Sequence, residues 1–326
     1  MPPFRHLSFI INLSRRNAQE RGDFVADNYQ YGGQAVIEGV MMRGRHHYAI
    51  AVRKENNTTC VMSEQIGSYT QKNRFLRLPF IRGIVALGES LVLGLKSLQY
   101  SANQLMETEG EEELSFWEIT LMMIFAIGLT ILLFVALPLF LRSLVAKVLP
   151  GTFWRNLFEG LSRAVILVIY ISVISLLSDI QRVFAYHGAE HKVIHTYEAG
   201  EELTVDNAKS KTTLHPRCGT SFLLYVVMVS ALVFSFLGEQ TFLMRFASRL
   251  LLLPLIAGIS YELIKLSGKH QSFILWRILS WPGLMLQHLT TREPDDGQLE
   301  VAILALKEVL SLENNNNVLP INNQEV

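Results

Sequence analysis

The chain has 326 residues with 29 basic and 29 acidic side chains, so its zero formal net charge gives no electrostatic reason to expect nucleic acid as a partner. Only 18% of residues are charged against 50% hydrophobic, and long stretches carry no charge, which excludes an ordinary soluble enzyme and predicts the lipid bilayer as surroundings. Two cysteines, Cys60 and Cys218, are too few for a disulfide framework and lie in segments of different character.

Residues 1–30 read as a poorly ordered leader. Its one apolar patch, near Phe9, is short and no small-residue cleavage site follows, so it does not resemble a cleavable signal peptide. Over 31–79 the pattern changes to short β-forming runs at 34–40, 48–53 and 58–66, separated by Gly, His and Asn-Asn turn signals. These predict a small antiparallel β unit, which is either a functional part or only a cap on membrane helices. Glu38 and Arg43 are expected to pair within it, the alternative being that they reach toward the histidine-rich loop.

The segment 80–114 opens with an apolar run broken by Arg82, Gly83, Gly88, Glu89 and Gly94. Burying Arg82 or Glu89 in lipid costs a few kcal/mol each, so a helix in the interface or packed on the bundle is expected rather than a span. The acidic stretch from Glu107 to Glu113 reads as a solvated loop.

Four apolar runs then predict four spans, at 119–141, 164–178, 220–237 and 250–266. The first is long, charge-free and closed by Pro138; the second is short and bounded by Arg163 and Asp179. The last contains Glu262 and Lys265, and an ionisable residue inside a span is a functional candidate by default. Arg182, Lys192, Lys209, Lys211 and Arg217 in the 179–219 loop favour a multi-pass protein of the cell membrane with that loop and both termini cytoplasmic, against Arg142, Lys147 and Arg155 opposite. Residues 272–289, with Trp276, Arg277 and Trp281, predict an amphipathic interfacial helix. Residues 295–310 predict a surface helix started by Pro294, Asp295 and Asp296. From Glu313 onward the Asn-rich tail is expected to be disordered. The predicted fold is mainly α: a polytopic helical membrane protein of about four spans, with a small N-terminal antiparallel β unit and amphipathic interfacial helices.

The residues able to carry chemistry concentrate in 179–219, the histidine-rich loop. His187 and His191 stand one helical turn apart, with Glu190 between them. His-x-x-Glu-His is the spacing of inverted zinc peptidases, in which two imidazoles hold the metal and the carboxylate handles a proton. His195 follows one turn later, and the second cluster, His215-Pro-Arg-Cys218, adds an imidazole and a thiol whose softness favours zinc over magnesium or calcium. Two arrangements are open. His187 and His191 plus one of His215, His195 or Glu262 would leave one position for water, with Glu190 as general base. Alternatively, His187, His191, His215 and Cys218 would close a four-ligand structural site. Without a metal, the same residues would form a hydrogen-bonded network seating the loop. Cys218 beside His215 would also make a thiol nucleophile. Glu262 would otherwise pair with Lys265 or Arg249.

Five motifs in order carry a family resemblance: Gly33-Gln-Ala-Val-Ile-Glu-Gly-Val-Met-Met-Arg-Gly44, Tyr186-His-Gly-Ala-Glu-His-Lys192, Leu214-His-Pro-Arg-Cys-Gly-Thr-Ser221, Gly258-Ile-Ser-Tyr-Glu262 and Leu289-Thr-Thr-Arg-Glu-Pro-Asp-Asp296. Over roughly residues 30–310 the chain resembles the YqhQ family of bacterial membrane proteins, a domain of unknown function. The resemblance implies a metal-dependent membrane enzyme. The expected function is therefore a membrane-bound, zinc-dependent hydrolase of peptide or lipid-linked substrates. The rival is a non-enzymatic assembly or insertion factor, with other membrane proteins as partners and a structural metal or polar site. A transporter is a third, weaker option.

Overall fold

A computed structural model of the chain describes residues 31–67, 76, 78, 81–109, 116–269 and 273–317. The leader expected over 1–30 lies outside the described residues. The β unit is a four-stranded antiparallel meander, β1 (Gly32–Val36), β2 (Gly39–Arg43), β3 (His47–Arg53) and β4 (Thr59–Gln65), in that spatial order. The run expected as one strand over 34–40 is broken by a two-residue turn, Ile37-Glu38, with Glu38 at φ +50° and Val36 registered on Gly39. Gly39 permits the close approach, because a Cβ there would lie 2.2 Å from the Ala51 carbonyl oxygen. The alternation was imperfect because both faces of the central strands are covered. Val40, Met42, Ala49 and Ala51 join one core, while Met41, Tyr48, Ile50 and Val52 join another.

The next element, α1 (Ile81–Glu109), is a 29-residue helix, and it includes the start of the stretch expected as an acidic loop. It reaches the second face of the sheet through Leu93. Then α2 (Phe116–Ile131) runs through a π-helical segment (Leu132–Ala136) into α3 (Leu137–Val145). After it come α4 (Gly151–Ile174), α5 (Ser178–Glu198), α6 (Val205–Lys209), α7 (Gly219–Ser235), α8 (Phe242–Lys269), α9 (Ile274–Thr290) and α10 (Asp296–Asn317).

Among the described residues three helices are long and apolar enough to cross a membrane: Thr120–Val145, Gly151–Ile174 and Leu243–Ser267. The fourth expected span, α7, is apolar but only 17 residues long. The outer faces carry large apolar side chains in the open, such as Leu121 at 68%, Phe125 at 71% and Leu251 at 80% exposure, as a lipid-facing surface requires. The second span corrects the sequence boundary. Its helix begins at Gly151, so Glu159 and Arg163 lie inside it. They are tolerated because Glu159 pairs both with Arg163 and with Arg249 of α8.

On one side of this bundle the sheet, α5, α6 and α10 share a single apolar core. Here α10 corrects another expectation. It is no surface helix: Leu299, Ala302, Leu306 and Val309, at helical spacing, are fully buried against β2, β3 and α5. The disordered tail expected from Glu313 also begins too early. The helix continues to Asn317, and the Glu313 carboxylate accepts from the backbone N–H groups of His46 (2.6 Å) and His47 (2.9 Å). The rest of that tail, 318–326, lies outside the described residues.

Candidate metal centre

Half of the predicted histidine-rich loop is a regular helix, α5, clamped between the sheet and the chain after α9. Gly188 makes the clamp possible, because a Cβ there would sit 2.1 Å from the Arg292 carbonyl oxygen, and Arg292 N–H in turn donates to the Phe184 carbonyl at 2.9 Å. At the other contact, both Glu38 oxygens accept from Arg182 at 2.5 Å, and the Tyr186 hydroxyl lies 3.3 Å away. The expected Glu38–Arg43 pair is therefore not formed. Glu38 occupies the hairpin turn while Arg43 ends β2, roughly 15 Å further along the strand, and Arg43 donates to Glu89 of α1 at 3.3 Å.

The helical register brings the His187 and His191 rings to 4.4 Å between centroids. Each is oriented by a backbone carbonyl. His187 Nδ1 lies 2.8 Å from the Thr290 oxygen at the end of α9, and His191 Nδ1 lies 2.5 Å from the Thr213 oxygen. A carbonyl only accepts, so both Nδ1 atoms carry a proton, and in the neutral rings both Nε2 atoms offer a lone pair. Cys218 completes the group, with Sγ 3.1 Å from His187 Nε2. It is the N-cap of α7, where its sulfur accepts from Thr220 N–H at 3.4 Å. One ligand atom from each of His187, His191 and Cys218 lies within 4.8 Å of the other two.

His215 and His195 stand beside this group and form a second one with Glu198. The tautomers separate the two. His195 Nε2 donates to the Leu214 carbonyl at 2.9 Å. His215 Nδ1 accepts from Arg217 N–H at 3.3 Å, so its proton is on Nε2, which faces Glu198 at 3.7 Å. Glu198 also takes the Arg217 guanidinium. Burial works against its charge, yet His215 and Arg217 hold the carboxyl down to about 2. Burial pushes the His215 imidazole down to about 4, so the ring is neutral near pH 7. The second group is thus already satisfied by protons and an arginine, whereas the first offers two imidazole lone pairs and a thiol.

Glu190 is buried next to the first group, with an oxygen 3.9 Å from His191 Nε2. Burial raises its pKa, opposed by nearby His187 and by a hydrogen bond from Gly33 N–H. Gly33 is required there, since a Cβ would fall 2.4 Å from the Met41 oxygen and 2.9 Å from Glu190 Cγ. A cavity of about 470 Å³ reaches Gly33, Glu190, His187, His191, His215 and Cys218. Glu262 is in neither group. It accepts from Arg82 of α1, at 2.6 Å through Nε and again through Nη2, while Arg249, one of its two expected partners, is taken by Glu159.

Sequence reading missed Glu198, although its i+3 spacing from His195 was a usable signal. It also missed the carbonyls of Thr213 and Thr290, which have no side-chain signature.

A four-stranded sheet and helix layer standing on a bundle of membrane-length helices, with a buried His-His-Cys group and a carboxyl where the two meet, defines a helical protein with a metal-capable junction. The chain belongs to the family described as protein of unknown function (DUF1385), which matches residues 78–312. It is similar to the "Uncharacterized protein YqhQ" of Bacillus subtilis (strain 168), at 36% identity over 295 residues, covering 87% of this chain and 93% of that protein. No solved structure matches.

Proposed function

We propose that this protein is a membrane-bound, metal-dependent hydrolase whose site is the junction cavity. The observation that carries the reading is the donor set: two imidazole Nε2 lone pairs and one thiol on a shared centre, each histidine fixed by a carbonyl behind it. Such nitrogen and sulfur donors suit zinc, and three protein ligands leave a position open. Zinc held there supplies a Lewis acid that acidifies water and polarises a carbonyl or phosphoryl oxygen. Glu190 takes and returns the proton, because its raised pKa brings it nearer to neutral pH. Gly33 N–H holds one face of that carboxylate. His215 points to Glu198 instead of joining the set, which argues against a closed structural site. The cavity lies where the helix bundle meets the polar layer, so peptides or lipid-linked molecules presented at the cytoplasmic membrane surface are the substrates we favour.

Metal analysis of the purified protein tests this. One zinc per chain is expected in the wild type and in Glu190→Gln, and loss of it in His187→Ala and Cys218→Ser. Hydrolysis of ester and amide probes should vanish in Glu190→Gln. Protein with no bound metal after preparation in zinc-containing buffer rejects the reading.

A second reading has its own observation. The 3.1 Å contact between Cys218 Sγ and His187 Nε2, with Thr290 behind the ring, also makes a thiol–imidazole pair of nucleophilic type. Under it, zinc-free protein would be labelled at Cys218 by an acylating reagent and chelators would not lower activity.

A further inference from the structure

The free edge of the sheet borders the junction cavity. β1 is an outermost strand, and its residues Gly32 to Ala35 line the same cavity as His187, Glu190 and Cys218. The walls come from the helices on the two faces of the sheet. Ala35 packs into the core shared with α5, and Gly33 lies against Glu190 of that helix. Gln34 faces the other way, where a Cβ on Gly94 of α1 would lie 2.6 Å from its side-chain oxygen. Ser90 of α1 and Val183 and Phe184 of α5 flank the opening. Gly32 to Ala35, Val183 and Phe184 are part-exposed and Ser90 is exposed, so the cleft can be entered from outside.

The backbone of β1 has hydrogen-bonding groups to spare. Opposed residues of an antiparallel pair alternate between those that exchange both bonds and those that exchange neither. Counted back from the two-residue turn, the Val36–Gly39, Gln34–Met41 and Gly32–Arg43 pairs bond across the ladder, and Gly33 and Ala35 turn their N–H and C=O groups outward. The Gly33 N–H fits that phase, since it donates to Glu190 on α5. Among the described residues, none of the backbone hydrogen bonds made outside the regular elements involves Gly33 or Ala35. The edge therefore presents donors and acceptors that repeat every roughly 7 Å along the strand. Such an edge is a template for another strand.

An extended peptide backbone matches that repeat, and a lipid tail does not. We propose that the substrate of the junction site is an extended peptide segment that adds to β1 as a fifth strand between α1 and α5, with apolar side chains against Val183 and Phe184. Because Gly33 already holds Glu190, a strand added there passes directly beside that carboxylate and the histidine-cysteine group. The inference rests on the hydrolase reading for the fate of the peptide, but the docking itself requires no metal.

Fluorescence anisotropy with full-length, zinc-treated Glu190→Gln protein in detergent tests the docking. The probe is a short labelled peptide that alternates valine and threonine between terminal lysines. Two N-methylated forms of it discriminate. Methylation of every second residue blocks one edge of the peptide and leaves the other complete, so this form should bind like the parent. Methylation of two adjacent central residues interrupts both edges and should weaken binding roughly tenfold. In the same background Ala35→Pro removes one outward N–H, while the ladder bonds to β2 fall on Gln34 and Val36. It should weaken the parent peptide by a similar factor at unchanged zinc content and melting temperature, and Ala35→Gly, which keeps the N–H, should not. Ser90→Trp narrows the cleft from α1 and decides the matter if Ala35→Pro fails to fold. No binding of the parent peptide overturns the proposal, as does equal loss of affinity in the two methylated forms. Unchanged binding in Ala35→Pro or Ser90→Trp overturns it too, and so does displacement of the peptide by a polyprenyl phosphate, which has no backbone amides. Zinc measured in the same samples separates the two readings: protein that holds no zinc yet shows this peptide pattern ends the hydrolase reading and leaves the strand site standing.

Discussion

Gly33 of the first β-strand donates its backbone N–H to the carboxylate of Glu190 on α5, and leaves no room for a side chain between them. The sheet supplies one wall of the cavity that contains the histidines and Cys218. Gly33→Ala should force the Met41 carbonyl or Glu190 to move, at a cost of about 1–3 kcal/mol typical of overpacking. Thermal melting would register that cost, and zinc affinity should fall with it. A Gly33→Ala protein with wild-type melting and metal content would show that the close approach is not needed.

Glu313 accepts from two consecutive backbone N–H groups at the start of β3. Glu313→Ala leaves both part-buried donors without their acceptor and should destabilise the layer by about 1–3 kcal/mol. Glu313→Gln should recover most of that loss, since an amide oxygen also accepts. Chemical denaturation of the three proteins would separate these outcomes.

The Arg82–Glu262 pair ties α1 to α8, with Arg82 about one-third exposed. Solvent screening reduces its worth, so a double-mutant cycle of Arg82→Ala and Glu262→Ala should give a coupling of only about 1 kcal/mol. A coupling several times larger would mean that the pair sits in a drier setting than its exposure indicates.

Acid should weaken the second histidine group. The Glu198 carboxyl, ordinarily near 4.5, is held to about 2 by His215 and Arg217 against the opposing effect of burial. Its folded pKa is depressed, so the stability it contributes is present above about 4.5 and is lost as pH falls toward about 2. Melting curves taken across that window in a chelator, so that metal release plays no part, should show a slope that Glu198→Gln lacks. Identical slopes in the two proteins would remove Glu198 from this role.

Much of this protein was legible before any coordinates. The apolar runs became helices because a window of uncharged residues long enough for a bilayer has few other stable conformations. His187, Glu190 and His191 fell on one helix face because their spacing is a local property of the backbone. What sequence could not decide was every relation between distant segments. Period-2 patterning faded where both faces of the sheet were covered, and α10 was read as a surface helix because its acidic start hid its apolar stripe. Glu38 met Arg182 instead of Arg43, and Glu262 met Arg82, since ion pairs follow proximity in space. The division of five ligand candidates into a centre with free lone pairs and a neighbouring, self-satisfied group was set by the carbonyls of Thr213, Thr290 and Leu214. Every residue has such a carbonyl, so only the folded arrangement determines which histidine nitrogen keeps its proton.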